Sequence, residues 1–129
     1  QHLLRNERTN YRVLFGMDGF DELSLTDDTR VFGANSENVF NSATFDCSPI
    51  KLSSIKGGRT VNDAAQTLHS ILNGGGSEAQ NSVVAANVAV ALQLYHPEVS
   101  VKELYTEALQ FIQTGKAKLA SFSSTTQYL

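Results

Sequence analysis

The sequence has little of what marks several specialised protein classes. It contains one cysteine, Cys47, so it can form no internal disulfide and offers no cysteine-rich zinc site. It has neither a charged-then-apolar leader nor a run of about 18 apolar residues that would cross a membrane. These absences predict a cytoplasmic protein that has no membrane partner.

An excess of basic residues is also missing. Lys and Arg number 10 against 13 Asp and Glu, giving a formal net charge of -3 and no basic cluster. Nucleic acids and anionic membranes attract positive charge, so we expect neither as a partner. The chain has 129 residues, of which 41% are hydrophobic, and both values are typical of one globular domain.

The first half of the chain is rich in strand-forming residues. Residues 11–15 form a short apolar run ending at Gly16, which predicts a strand buried on both faces, as in a parallel sheet. Leu23 and Leu25 alternate with polar residues, which predicts a brief half-buried strand. Residues 29–40 contain two apolar runs around a glycine-containing turn, which predicts a β-hairpin.

The second half contains three helix starts of the capping-box type. These starts are Thr60 with Asp63, Ser77 with Gln80, and Ser100 with Glu103. The first helix carries an apolar stripe formed by Ala64, Ala65, Leu68, Ile71 and Leu72. The second, expected over residues 78–95, is apolar from 83 to 92 except at Asn87, which predicts a central position and a hydrogen-bond partner for that amide.

Strands therefore come first and helices second, which fits an α+β domain or one end of a larger α/β domain. We favour the α/β class: one buried strand and a β-hairpin followed by three to four helices, too few strands for a complete doubly wound sheet. The chain also opens on Gln1 rather than methionine. Both features predict that residues 1–129 are a piece of a longer protein.

The strongest local feature is an acidic loop at the end of the first strand. Asp18, Asp21 and Glu22 place three carboxylates within five residues. Mg²⁺ prefers oxygen ligands and takes one or two carboxylates together with water and substrate phosphates. Adjacent carboxylates in extended chain point apart, so either the loop turns or the pair serves two ions. The alternative is an acidic surface turn, which these residues alone favour because Asp-Gly is common in turns.

Other candidates carry less chemistry. Residues 56–60 combine two glycines with basic flanks but lack the spacing of a phosphate-binding loop, so we interpret them as a connection before a helix. His2, His69 and His96 have no Ser, Cys or acid at a spacing that suggests a nucleophilic triad. We therefore interpret the three histidines as structural or solvent-exposed and expect no catalytic residue among them.

Residues 16–26 resemble the signature of the anthranilate phosphoribosyltransferases, and the resemblance resumes at 57–58, 85–92 and 108–117. That family joins anthranilate to phosphoribosyl pyrophosphate in tryptophan biosynthesis, and magnesium neutralises the leaving pyrophosphate. The resemblance implies that Asp21 and Glu22 bind Mg²⁺, with Glu22 bridging two ions. It also implies that Asp18 and Gly19 shape the loop without ligating metal.

The resemblance further implies that residues 1–129 are the C-terminal part of the glycosyltransferase-family α/β domain. The family's diphosphate loop, its anthranilate contacts and the helical domain that forms its homodimer would precede this chain, so the chain alone should be inactive. Asp27-Asp28 stand where the family commonly has Gly-Pro. The alternatives are a pyrimidine nucleoside phosphorylase-like enzyme and a non-catalytic binding relative.

Overall fold

The computed structural model describes residues 10–118, and the predictions for Gln1, His2 and the tail after residue 118 lie outside that range. The strands are β1 (Val13–Gly16), β2 (Thr29–Phe32) and β3 (Glu37–Phe40). Two short 3₁₀ turns, Ser42–Phe45 and Leu52–Ser54, lead to the helices α1 (Val61–Leu72), α2 (Glu78–Leu92) and α3 (Val101–Gln113). The predicted order of strands and then helices is confirmed.

The three strands form an antiparallel sheet in the order β1-β2-β3. The β2–β3 hairpin is confirmed, with Phe32 opposite Glu37 at its turn. The prediction that β1 is buried on both faces of a parallel sheet is wrong. β1 pairs with β2 at the sheet edge, and Phe15 is 57% exposed. A short apolar run indicates a β-strand, but it does not indicate which other elements pack against that strand and bury its side chains.

The predicted strand around Leu23 and Leu25 is also wrong. Leu23, Ser24 and Leu25 are all buried, whereas a half-buried strand would expose every second side chain. Leu25 has a φ of 60°, in the left-handed region that strands do not use. Residues 23–25 form a buried turn rather than a strand. Because side chains in a turn do not alternate between two faces, three consecutive ones can be buried.

Helix α2 is buried along one face rather than nearly all round, since Val88 is 38% exposed, and it ends at Leu92 rather than near residue 95. It packs chiefly against α3. Ala85, Ala86 and Ala89 are fully buried, and such small side chains let neighbouring backbones approach closely. The three predicted capping boxes are all present. Within residues 10–118 no helix is both long enough and apolar enough to span a membrane.

Helix α1 begins as predicted, but most of its apolar stripe is exposed. Ile71 is buried, whereas Leu68 is 56% exposed and Ala64 and Ala65 are also exposed. The helix has only a small contact with α3 and carries the stripe along its outer side. Of the apolar stripe, only the last turn of the helix is therefore buried.

Candidate metal centre

Strand β1 opens directly into the acidic loop, which comprises residues 17–28 and returns to β2. The loop is closed at its base, where Gly16 pairs with Thr29 and the Met17 amide donates to the Asp28 carbonyl at 2.9 Å. The Gly16 amide also donates to the Phe20 carbonyl at 3.0 Å. A Cβ at position 16 would lie 2.7 Å from that carbonyl oxygen, so this turn requires glycine.

Asp18 fastens the loop from within. Its Oδ1 accepts a hydrogen bond from the Phe20 amide at 3.2 Å, and its Oδ2 accepts from the hydroxyls of Ser24 and Thr26. Partial burial raises the pKa of Asp18, but these hydrogen bonds outweigh it and the pKa is lowered. The structure thus gives Asp18 a loop-shaping role. Sequence reasoning missed Ser24 and Thr26 as its partners, although their spacing of two residues could have indicated a shared face.

Asn87 fastens the loop from outside. The Leu23 amide donates to Asn87 Oδ1 at 3.0 Å, and Asn87 Nδ2 donates to the Leu23 carbonyl at 2.8 Å. The same Nδ2 donates to the Val83 carbonyl at 2.9 Å, one turn back along α2. The expected partner for this helical amide is therefore confirmed. It joins the acidic loop to a helix 64 residues further along the chain.

Asp21 and Glu22 lie between the hydrogen bonds at Phe20 and those at Leu23, and both residues are exposed. Within residues 10–118 neither side chain accepts a hydrogen bond or forms an ion pair, although the backbone on both sides of the pair is held through Phe20 and Leu23. The loop thus presents two unbonded carboxylates from a fixed backbone.

The carboxylates of Asp21 and Glu22 fit a hard cation whose remaining ligands are water or phosphate oxygens. No group of three or more His, Cys, Asp or Glu that could hold a metal occurs among residues 10–118. The acidic loop therefore offers two carboxylates rather than a complete cage. Mg²⁺ is commonly held in this way, because it keeps several waters and shares its remaining positions with substrate phosphates.

Asp27 and Asp28, which depart from the family pattern, both have local partners. Asp27 Oδ1 accepts from the Asp28 amide at 2.8 Å, and Asp28 Oδ1 accepts from Asn41 Nδ2 at 2.9 Å. Asp28 thereby ties the end of the acidic loop to the residue that follows β3. These two carboxylates have structural roles where β2 begins.

The remaining candidates carry no site chemistry. Asp63 Oδ2 accepts from the Arg59 and Thr60 amides at 2.9 and 3.0 Å, so a carboxylate already occupies the donors that a phosphate would use there. His69 and His96 are exposed, and His96 lies 3.7 Å from a carboxylate oxygen of Glu98. Cys47 donates to a backbone carbonyl, and burial raises the pKa of its thiol, which disfavours the reactive thiolate.

The family model described as "Glycosyl transferase family, a/b domain" matches residues 2–118. The chain belongs to this family. It is 39% identical over 116 residues to the anthranilate phosphoribosyltransferase of Christiangramia forsetii, a match that covers 90% of this chain and 35% of the relative. The resemblance noted from the sequence is confirmed, and the chain spans about a third of the length of such relatives.

Solved structures show the same fold. The anthranilate phosphoribosyltransferase from Thermus thermophilus matches with a TM-score of 0.74 and 23% identity, over 85% of this chain and 33% of that one. The Saccharomyces cerevisiae enzyme in complex with PRPP and Mg matches with a TM-score of 0.70 and 21% identity, over 89% of this chain and 34% of that one. The predicted α/β fold class is confirmed.

Proposed function

We propose that Asp21 and Glu22 bind the magnesium that accompanies the diphosphate of phosphoribosyl pyrophosphate. The longer protein that carries this chain then transfers the phosphoribosyl group to anthranilate, a step of tryptophan biosynthesis. The observation that carries the proposal is the pair of exposed, unbonded carboxylates on a backbone fastened at both sides.

The relatives support the substrate assignment. The Christiangramia forsetii relative is named an anthranilate phosphoribosyltransferase, and the yeast structure of similar fold is a complex with PRPP and Mg. The unbonded Asp21-Glu22 pair favours this enzyme over a pyrimidine nucleoside phosphorylase, because a diphosphate leaving group needs divalent cations more than a nucleobase does. The formal net charge of -3 disfavours a nucleic-acid-binding relative.

In the proposed reaction the amine of anthranilate forms a bond to the anomeric carbon of the ribose as the bond to pyrophosphate breaks. The bound magnesium supplies charge neutralisation for the departing pyrophosphate. Asp21 and Glu22 orient and hold the ion, and Glu22 is the proposed bridge where two ions bind. Asp18 keeps the loop in the shape that leaves both carboxylates exposed.

Residues 1–129 are proposed to be the C-terminal part of the α/β domain. The diphosphate loop, the anthranilate contacts and the helical domain that would form the homodimer are assigned to the preceding part, which the relatives' greater length accommodates. We infer that the chain alone does not catalyse transfer. We also propose that the protein is cytoplasmic and binds neither membranes nor nucleic acids.

The test compares the full-length protein with the 129-residue chain. Consumption of phosphoribosyl pyrophosphate is followed with anthranilate, with and without Mg²⁺, and phosphorolysis of uridine and thymidine is measured in parallel. We expect magnesium-dependent transfer to anthranilate by the full-length protein alone. Phosphorolysis without anthranilate transfer would instead support the nucleoside phosphorylase alternative.

A further inference from the structure

The side-chain amide of Asn87 is held by three hydrogen bonds to backbone groups. A carboxamide has one oxygen acceptor and two N–H donors. Here the oxygen accepts from the Leu23 amide, and Nδ2 donates both to the Leu23 carbonyl and to Val83 of its own helix. The bond to Val83 fixes the amide relative to α2, so the amide presents a single orientation to Leu23.

Leu23 in turn has no alternative partner in solvent. The residue is 0% exposed, so its backbone donor and acceptor depend on Asn87 for their hydrogen bonds. Leu23 directly follows Glu22, and a rigid peptide plane joins the two residues. Fixing the Leu23 amide therefore fixes the peptide plane that follows Glu22 within the acidic loop.

We propose that Asn87 is a positioning residue for the magnesium–diphosphate complex, acting through the Leu23 backbone on the orientation of Asp21 and Glu22. This inference rests on the proposed function. A metal site whose ligands are already oriented loses less conformational entropy on binding, and outer partners of a site commonly affect its affinity. Helix α2 is suited to the task because its buried alanines and its capping box fix its position in the core.

The chain offers a matched control in Asn81. It lies on the same helix, is 4% exposed, and donates from Nδ2 to the Gly76 carbonyl at 3.1 Å. Like Asn87, it bonds a backbone carbonyl of a segment that precedes it. Unlike Asn87, its side chain forms no hydrogen bond with the acidic loop among residues 10–118. The substitutions Asn87→Leu and Asn81→Leu therefore both remove a hydrogen-bonded amide from α2, but only the first frees Leu23.

The experiment uses the full-length protein and both variants. Calorimetry measures the binding of phosphoribosyl pyrophosphate at fixed Mg²⁺, and steady-state kinetics give the KM for each substrate and the Mg²⁺ concentration for half-maximal rate. For Asn87→Leu we expect an apparent Kd about tenfold weaker, with a matching rise in the Mg²⁺ requirement and no change in KM for anthranilate. Asn81→Leu should retain wild-type values for all of these quantities.

Two results overturn the inference while leaving the proposed function in place: wild-type affinity in Asn87→Leu, or an equal loss of affinity in both variants. Absence of magnesium-dependent binding in the wild-type protein overturns both proposals together. If circular dichroism shows that Asn87→Leu does not fold, Asn87→Ser, which leaves room for water beside Leu23, is measured in the same way and judged by the same outcomes.

Discussion

The carboxylates at the starts of α1 and α3 differ from Asp21 and Glu22 of the acidic loop in the hydrogen bonds that they accept. Asp63 accepts from the Arg59 and Thr60 amides, and Glu103 accepts from the hydroxyl and amide of Ser100. In the acidic loop the arrangement is reversed. There the backbone around Asp21 and Glu22 is bonded by other residues, and the two carboxylates accept nothing within residues 10–118.

The difference separates structural acids from candidate ligands when the residue types are the same. A carboxylate that caps a helix has its oxygens directed at backbone donors, which stabilises the helix start but leaves them poorly available to a cation. An unbonded carboxylate on a fixed backbone is available and already oriented. Asp18 belongs with the first group, because Ser24 and Thr26 bond one of its oxygens and Phe20 bonds the other.

The largest expected effect comes from removing the unbonded charges. In the full-length protein, Asp21→Asn and Glu22→Gln should each lower kcat/KM for phosphoribosyl pyrophosphate on the order of a hundredfold at fixed Mg²⁺, because charge stabilisation of the leaving group is lost. The thermal midpoint should stay near the wild-type value, because neither side chain has a hydrogen bond or ion pair to lose among the residues that the structure describes. Steady-state kinetics and thermal unfolding measure the two quantities.

Glu103→Gln is the control for that pair, since it also removes one exposed carboxylate. It should leave kcat/KM unchanged and lower the thermal midpoint, which is the opposite pattern. Wild-type magnesium dependence in both Asp21→Asn and Glu22→Gln would remove these residues from the proposed metal site.

The helix starts were predictable because their signals are local. A capping box involves two residues three positions apart, so Thr60, Ser77 and Ser100 could be identified from the sequence. The hairpin is local for the same reason. The errors at β1 and at residues 23–25 concern burial, which depends on neighbours distant in sequence. The acidic motif predicted a site, but its link to Asn87 spans 64 residues and could not be identified from spacing.

The second-largest expected effect tests the bonded carboxylate of Asp63 at the start of α1. Gly58 has a φ of 93°, and a Cβ there would lie 2.2 Å from Asp63 Cβ, whereas Gly57 has open space around it. Gly58→Ala should therefore strain the backbone and displace the capping carboxylate, costing about 2 kcal/mol of unfolding free energy. Gly57→Ala should change it by less than about 0.5 kcal/mol. Urea unfolding measures both, and equal losses would contradict this account of the cap.

A smaller effect tests the assignment of Asp18. Asp18→Asn weakens the hydrogen bonds from Ser24 and Thr26, and because the residue is largely exposed we expect a loss of only about 1 kcal/mol. Activity should fall less than in Asp21→Asn. If Asp18→Asn instead kept full stability and lost activity as steeply as Asp21→Asn, Asp18 would be a metal ligand and not a shaping residue.

The smallest effect concerns acid. Hydrogen bonds from the Ser100 hydroxyl and amide lower the pKa of Glu103, and bonds from the Arg59 and Thr60 amides lower that of Asp63. A group whose folded-state pKa is lowered stabilises the fold above its unfolded pKa, about 4, and that stability is lost as pH falls through the folded value. Glu103→Gln should therefore lose less stability than wild type between about pH 5 and about pH 3.

The control is Thr106→Ala, which removes a hydroxyl bonded to the Lys102 carbonyl but no titrating group. Its stability should depend on pH as steeply as that of the wild type. If stability fell equally with pH in all three proteins, the hydrogen bonds of Glu103 would contribute no stability. The bonded carboxylates at the helix starts and the unbonded pair of the acidic loop would then not differ in energy.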